Sequence, residues 1–317
     1  MICLTTGARR ILRRGSGLVT GFKKHWRLHV LALPVLVYLL IFSYAPMFGV
    51  ILGFENYSIT KGFFRSEWIG LRNFEFLFHT LDAWRITRNT VLYNIAFITV
   101  NTSLSVLLAL VLNEMYLRKL SKVIQTMMIM PYFLSMSVVA IIVYGFIGAN
   151  GVVNSIYKSM GMSGTNWYIY KPLWPFLLVF ISAWKGVGYT AIVYVASISG
   201  ISQEYYEAAV LDGATKLQQA RYVTLPHLKH IIVIMLILSM GGMFKGDIGL
   251  SYNVTMNSGA LYEVVDVIDS YVYRALKTLG NTGMSTAAGL YQSVVGFVLI
   301  IISNKIVRHV DEESALF

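Results

Sequence analysis

The sequence is poor in charged residues and in cysteine. Of its 317 residues, 13% are Asp, Glu, Lys or Arg, which is about half of the roughly 25% found in soluble domains. This shortage excludes an ordinary soluble enzyme, and the 56% of hydrophobic residues excludes a disordered chain. The single cysteine, Cys3, excludes a disulfide scaffold and a cysteine-built metal site. Composition therefore predicts one polytopic membrane domain.

Sequence motifs for several kinds of chemistry are absent as well. The chain has no G-x-x-x-x-G-K-[ST], no H-E-x-x-H and no G-x-S-x-G. Among the six histidines, His227 and His230 lie three positions apart, and a lone pair of this kind at a helix start favours interfacial packing over a metal site. We therefore expect no catalytic residue, no metal, no cofactor and no ATP bound through a P-loop.

Long runs without Asp, Glu, Lys or Arg are abundant. A helix needs roughly 20 mostly apolar residues to cross a bilayer. The runs predict six spans, at about 29–54, 89–113, 123–148, 173–199, 229–249 and 284–305. Lys185 interrupts the fourth, and the fifth apolar run is so short that it must extend past Lys245 and Asp247 to cross. The predicted fold class is an all-α polytopic membrane protein with six transmembrane helices.

The positions of Lys and Arg explain the net charge of +11. If residues 1–28 are cytoplasmic, the inside segments contain fifteen basic residues and the outside loops ten. Because cytoplasmic loops carry the excess of Lys and Arg, both termini are predicted inside. The chain then divides into a basic segment 1–28, a membrane domain 29–307 and a tail 308–317. The excess of basic residues indicates topology rather than nucleic-acid binding.

The inner segment 200–228 joins the fourth and fifth predicted spans. Ser202 can cap a helix, Gly213 suits the left-handed position that ends one, and Pro226 fits the entry into the next span. These signals predict a helix–glycine–helix elbow that lies against the inner face of the membrane.

The same segment contains a motif with several fixed spacings. Glu207-Ala208-Ala209 is followed by three residues, Gly213, nine residues and Val223-x-Leu225-Pro226. It resembles the "EAA" loop of ABC importer permeases, E-A-A-x3-G-x9-I-x-L-P, with Val for Ile as the single departure. Physically, the two alanines let another surface approach closely, and the glutamate offers a charge to a partner Arg or Lys.

Both ends of the chain resemble permeases of polysaccharide and complex-oligosaccharide importers, a group similar to maltose-type permeases. This part of the resemblance rests on residues 26–34 with 44–47, on 259–274 and on 288–296. The resemblance therefore extends over nearly the whole chain.

This resemblance implies the type I ABC importer permease architecture, in which the six-helix core pairs with a second, similar permease. The elbow would be a coupling helix that docks on an ATPase subunit dimer, and an extracellular solute-binding lipoprotein would deliver the sugar. Closure of the ATPase dimer would then switch the permeases between inward- and outward-facing states. The implied coupling residues are Glu207, Ala208, Ala209, Gly213, Leu225 and Pro226.

Three charged residues are predicted at membrane depth, where a charge costs about 2.5–3.5 kcal/mol on insertion scales. Lys185 lies near the middle of the fourth span, beside Trp184 and Tyr189, whose aromatic faces can stack on sugar rings. Lys245 and Asp247, at the end of the fifth span, are close enough in sequence to pair. These five residues are candidates for the substrate path. Equally, Lys185 could be a packing residue bound by a neighbouring carbonyl or by the partner permease.

Other functions compete with this interpretation. The nearest alternative is a permease for another solute, such as a monosaccharide or glycerol phosphate. A secondary transporter would need coupling-ion carboxylates inside helices, and a membrane-embedded enzyme would need clustered acids or histidines there. The leading prediction is the permease subunit of an ATP-driven importer of a polysaccharide or complex oligosaccharide. It would reside in a bacterial inner membrane, in contact with lipid, and would be no enzyme.

Overall fold

The computed structural model describes residues 26–58, 60–62, 65–115 and 117–310. The predicted terminal segments 1–28 and 308–317 therefore lie almost wholly outside the described residues. Within the described part, six helical segments are long and apolar enough to cross a membrane. In chain order, spans 1 to 6 are His29–Phe54, Asp82–Glu114, Met136–Ser159, Lys171–Ile198, Lys216–Gly241 and Thr282–His309. The prediction of six spans is confirmed.

The described chain is almost entirely helical. Its α-helices are α1 (Trp26–Leu39), α2 (Phe76–His79), α3 (Leu81–Glu114), α4 (Arg118–Ile129), α5 (Met136–Ile147), α6 (Val152–Ser159), α7 (Trp174–Ile198), α8 (Gln203–Leu211), α9 (Lys216–Gln219), α10 (Leu225–Gly241), α11 (Tyr262–Val265), α12 (Ile268–Leu279) and α13 (Thr282–Val310). Two short strands, β1 (Glu55–Asn56) and β2 (Glu67–Trp68), pair antiparallel.

Span 1 packs on the rest of the described chain through its C-terminal half. From residue 26 to residue 48 every described side chain is exposed. The 3-10 run Ala45–Phe54 then lies against α13, where a Cβ added at Gly53 would be 3.3 Å from the backbone nitrogen of Ala287. The N-terminal half of span 1 therefore presents exposed, mostly apolar side chains.

The centre of the molecule is the pair α3 and α7, which pack along each other. Polar side chains link them within the membrane, since the amide of Asn101 donates to Oγ of Ser182 at 3.2 Å. On another side, α7 lies directly against α4, because a Cβ added at Gly188 would be 1.9 Å from the carbonyl oxygen of Met128. Only glycine fits at this position.

Spans 1, 4 and 6 lie close to their predicted bounds, and span 2 begins earlier than the predicted 89. The side chain of Thr80 caps α3 by accepting from the amide of Ala83 at 3.1 Å. One turn later, Asp82 and Arg85 form an ion pair at 2.9 Å. A search for charge-free runs could not detect this start, because the first turns of the helix are charged.

The predicted span at 123–148 is not one continuous helix. α4 ends at Ile129, a 3-10 turn (Met130–Phe133) follows, and α5 begins at Met136. Pro131 lies at this interruption, and proline removes a helical hydrogen bond and clashes with the preceding turn. Span 3 therefore begins at Met136, after the break, and continues through α6 to Ser159.

The predicted fifth span at 229–249 also differs from the structure. Span 5 begins earlier, inside the elbow at Lys216, and ends at Gly241, so Lys245 and Asp247 lie outside it. Gly241 and Gly242 lie where α10 ends. They favour this end because glycine is about 1 kcal/mol less favourable than alanine within a helix. A turn and then a π-helical turn (Gly249–Val254) continue the chain.

The segment 245–283, between spans 5 and 6, contributes much of the core. Its buried apolar residues are Leu250, Val254, Leu261, Val265, Val267, Ile268, Val272 and Ala275. Side chains of α3 bind the backbone at the end of α11, since Asn89 donates to the Asp266 carbonyl at 3.0 Å and Tyr93 to the Val264 carbonyl at 2.7 Å. The buried Asp266 carboxylate accepts two hydrogen bonds from Arg274. This segment is therefore fixed to span 2.

Candidate functional site

The elbow begins with α8, and this helix ends in a Schellman motif. Ser202 caps α8 by accepting from the amide of Glu204 at 3.4 Å. At the other end, the Ala214 amide donates to the Ala209 carbonyl at 2.9 Å and the Gly213 amide to the Val210 carbonyl at 3.0 Å. Gly213 has φ +79°, the left-handed conformation that this motif requires and that favours glycine.

The second half of the elbow leads directly into span 5. Thr215 and Gln218 form a capping box at the start of α9. A π turn (Ala220–Thr224) connects α9 to α10, which carries Pro226 in its first turn. The hydroxyls of Tyr206 and Thr224 lie 3.0 Å apart and link α8 to this turn. The elbow is therefore continuous with span 5.

The structure places the predicted coupling residues on an accessible surface. Glu207, Ala208, Leu225 and Pro226 are exposed, and Ala209 is half-buried. Among the described residues, no cation lies within ion-pair distance of the Glu207 carboxylate.

Two leucines at the tip of the elbow are the most conspicuous surface feature. Leu211 and Leu217, on either side of Gly213, are 89% and 79% exposed. Contiguous exposed apolar side chains rimmed by polar residues mark interaction sites. Leu211 and Leu217 therefore add exposed apolar side chains to the tip of the elbow, and sequence reasoning did not single them out.

The second candidate region surrounds Lys185 on α7. Its ammonium donates to the backbone carbonyls of Tyr132 and Leu134, each at 2.7 Å. Both carbonyls belong to the interruption between α4 and α5, where helical partners are missing. Lys185 thus supplies hydrogen bonds that the broken helix cannot make for itself. This geometry supports the packing interpretation of the ammonium group.

Aromatic side chains form a surface beside this lysine. The rings of Tyr132 and Tyr189 stack with centroids 4.4 Å apart, and the Lys185 ammonium lies 5.5 Å from the centroid of the Tyr132 ring. Trp184 and Tyr189 are 39% and 44% exposed. Tyr132, which the sequence analysis did not name, therefore contacts both Lys185 and Tyr189. Trp184 precedes Tyr189 by five residues and so lies about 140° away from it around α7.

Lys245 and Asp247 lie in the turn that follows span 5 and do not form an ion pair within the described residues. The carboxylate of Asp247 accepts from the amide of Leu250 at 3.1 Å and so caps the next helical turn. The Lys245 carbonyl accepts from the side chain of Asn94 on α3 at 2.9 Å. A Cβ added at Gly249 would be 2.4 Å from Cγ of Met136, so the interruptions after α4 and after α10 adjoin.

A buried carboxylate lies next to the turn that contains Lys245. Asp269 accepts hydrogen bonds from the amide of Gly246 and, at 2.7 Å, from the side chain of Gln292. Burial raises the pKa of the Asp269 carboxyl, and these hydrogen bonds and the Lys245 charge oppose the increase. The contacts tie the turn to α12 and to span 6.

The comparisons with known proteins agree with this architecture. The family model described as "Binding-protein-dependent transport system inner membrane component" matches residues 102–312. Protein LplB of Bacillus subtilis (strain 168) is 33% identical over 313 residues, which cover 96% of each chain. The polygalacturonan/rhamnogalacturonan transport system permease protein YteP of the same organism is 30% identical over 90% of this chain and 89% of its own.

A solved structure is similar over nearly the whole chain. It is the crystal structure of a bacterial alginate ABC transporter in complex with an alginate pentasaccharide-bound periplasmic protein. One of its chains superposes with a TM-score of 0.81 and 29% identity over 93% of this chain and 98% of that one. The resemblance inferred from the elbow motif is confirmed. The chain belongs to the family of binding-protein-dependent transport system inner membrane components, and it is a multi-pass permease subunit of an ABC importer rather than an enzyme.

Proposed function

We propose that this permease forms the translocation path for a polysaccharide or complex oligosaccharide that an extracellular binding protein delivers. Two similar proteins support the substrate class, the permease YteP for polygalacturonan or rhamnogalacturonan and the alginate transporter with its loaded periplasmic protein. The binding protein would be a lipoprotein at the outer face, and the permease would work in the cytoplasmic membrane of a bacterium.

The proposed mechanism is based on the geometry of the elbow. Gly213 ends α8 in the left-handed conformation, and Leu211 and Leu217 project from the tip. An ATPase subunit that receives this tip would move α8, and the direct connection through α9 to α10 would transmit the movement to span 5. In this proposal Ala208 and Ala209 allow close approach to the ATPase, and Glu207 pairs with one of its basic residues.

A second permease subunit completes the path. The described side chains of span 1 up to residue 48 are exposed, and so are Trp184 and Tyr189 on α7. A second, similar subunit that covered these surfaces would enclose the aromatic side chains in a cavity between the two permeases.

We place the sugar against the aromatic surface of Tyr132 and Tyr189. Aromatic faces stack on sugar rings and phenolic hydroxyls bind sugar hydroxyls. Lys185 would position this surface through its two carbonyl contacts, and the turn of Lys245 and Asp247 would border the path at the adjoining interruption.

ATPase measurements on the purified assembly test the proposed function. Reconstituted with its partner permease and ATPase, the transporter should hydrolyse ATP faster with oligosaccharide-loaded binding protein than with the empty protein. Unbound oligosaccharide and sn-glycerol 3-phosphate should give no such stimulation. Equal rates with loaded and empty binding protein for every oligosaccharide tried would contradict the proposal.

We also propose that both termini and the elbow are cytoplasmic, on the strength of the excess of Lys and Arg on that side. Cysteines introduced in a Cys3→Ser background test this orientation. Lys119→Cys, on the elbow side, should resist an impermeant thiol reagent in intact cells, whereas Lys158→Cys should be labelled. Both positions are exposed, so detergent should make both reactive. The reverse pattern in intact cells would overturn the orientation.

A further inference from the structure

A polar cavity of about 770 Å³ lies beside the elbow, away from the aromatic surface. It opens between the inner ends of α3, α4 and α7 and the start of α8. Its polar lining includes Glu114, Lys122, Gln125, Gln203, Tyr206 and Lys216. The cavity lining contains none of the proposed coupling residues. Of the two leucines at the tip of the elbow, Leu217 lines only the groove that adjoins the cavity.

An apolar groove of about 380 Å³ adjoins the cavity. Leu107, Leu110 and Val111 on α3 form one wall, and Leu217 and Ala220 form the other. Groove and cavity share Glu114, Met115 and Lys216 in their linings, so they are continuous. Leu107 and Val111 are 57% and 54% exposed on the outside of span 2. The groove therefore opens toward the acyl region of the bilayer.

The charges in the cavity favour an anion. Lys216 and Glu114 form an ion pair at 3.2 Å where groove and cavity meet, so the one carboxylate of the lining is neutralised. Lys122 is exposed in the cavity, and no carboxylate among the described residues lies within ion-pair distance of its ammonium. A positive charge thus remains at the polar end, and an apolar channel leads away from it.

We propose that the cavity and groove bind one anionic phospholipid of the inner leaflet, with the phosphate at Lys122 and an acyl chain in the groove. Basic pockets between membrane helices on the cytoplasmic side bind anionic headgroups. The N-terminal segment of this chain would be repelled, since it carries Arg9, Arg10, Arg13 and Arg14. The site rests on the proposed orientation, which puts the elbow at the inner leaflet. A bound lipid would connect span 2 with α9 at the start of span 5.

Native mass spectrometry of the purified, assembled transporter tests this site. With equal amounts of phosphatidylglycerol and phosphatidylcholine, the wild type should retain one phosphatidylglycerol. Lys122→Gln should reduce this preference about fivefold, because a basic residue near an anionic lipid contributes about 1 kcal/mol. Lys122→Arg should preserve it. Lys119→Gln, in the same basic segment but outside the cavity lining, is the matched control and should bind like the wild type.

The apolar groove requires a separate test. Val111→Trp fills the groove from an exposed position and should release the lipid although Lys122 is intact. Millimolar sn-glycerol 1-phosphate, a headgroup without acyl chains, should not displace it. Displacement by this anion, or retention of the lipid in Val111→Trp, would overturn the lipid proposal and indicate a small-anion site. Equal phosphatidylglycerol binding by Lys122→Gln and wild type would also overturn it. Stimulation of the ATPase by loaded binding protein, measured in parallel, would show whether the proposed function stands independently.

Discussion

Gly213→Val should lower sugar uptake by about 5–30-fold while the subunit still inserts into the membrane. A β-branched residue is strained at φ +79°, and the left-handed conformation costs an L-residue roughly 1–2 kcal/mol. A Cβ at Gly213 would meet no atom within 4 Å, so steric crowding is not the cause. The strain should open the Schellman motif and displace Leu217 relative to Leu211, which would disrupt docking of the ATPase.

Uptake, subunit yield and co-purification of the ATPase should be measured together. Gly213→Asn is the matched control, because asparagine adopts the left-handed conformation more readily than other residues with a side chain. Asn should retain most of the uptake that Val loses. If Val and Asn variants transport equally well, the left-handed turn has no role in coupling. If neither accumulates in the membrane, Gly213 is needed for folding rather than for coupling.

The elbow could be predicted in detail because its signals are local. Ser202, Gly213 and Pro226 each determine a backbone conformation through their own side chain, or through the lack of one. Gly213 has the predicted left-handed φ, and Pro226 lies in the first turn of α10. The exposure of Leu211 and Leu217 required the structure, because a sequence does not show which face of a short helix remains uncovered.

The interior of the membrane domain could be predicted only in outline. Apolar runs indicate the number of spans, since each run needs only to be long enough to cross. They do not indicate the interruption at Met130–Phe133, for which Pro131 was the available signal. They also do not show that segment 245–283 contributes to the core. Its contacts with Asn89 and Tyr93 join residues that lie more than 170 positions apart in sequence.

The position of Lys185 illustrates why a charge at membrane depth is an ambiguous signal. A charged residue there needs a partner, and backbone carbonyls without helical partners need a donor. In the interruption at 130–135, two backbone carbonyls bind the Lys185 ammonium, and the ammonium is the donor that these carbonyls would otherwise lack. The interruption, in turn, adjoins the one after α10 through Met136 and Gly249. The interruption between α4 and α5 and the one after α10 are therefore each stabilised by contacts with neighbouring elements.

Lys185→Met should destabilise the permease and lower its uptake together. The substitution keeps the length of the side chain but leaves the carbonyls of Tyr132 and Leu134 without their donor. The hydrogen bond to Tyr132 is exposed and the one to Leu134 is only partly buried, so the penalty for a fully buried unsatisfied group does not apply to both carbonyls. A hydrogen bond to a charged group contributes about 1.5–3 kcal/mol, and we expect a loss of about this size for the pair. We expect the Tm of the purified assembly to fall, and the surface formed by Tyr132 and Tyr189 to lose its position.

Two further variants make the prediction for Lys185 specific. Lys185→Arg retains donors within reach of the interruption and should recover both Tm and uptake in part. Lys171→Met is the matched control, because it removes a lysine from an exposed ion pair with Glu263 at the start of span 4. Exposed pairs contribute about 0–1 kcal/mol, so its Tm should stay near that of the wild type. An unchanged Tm with lost uptake in Lys185→Met would instead place the ammonium in contact with the sugar. Normal values of both would show that neither role is required.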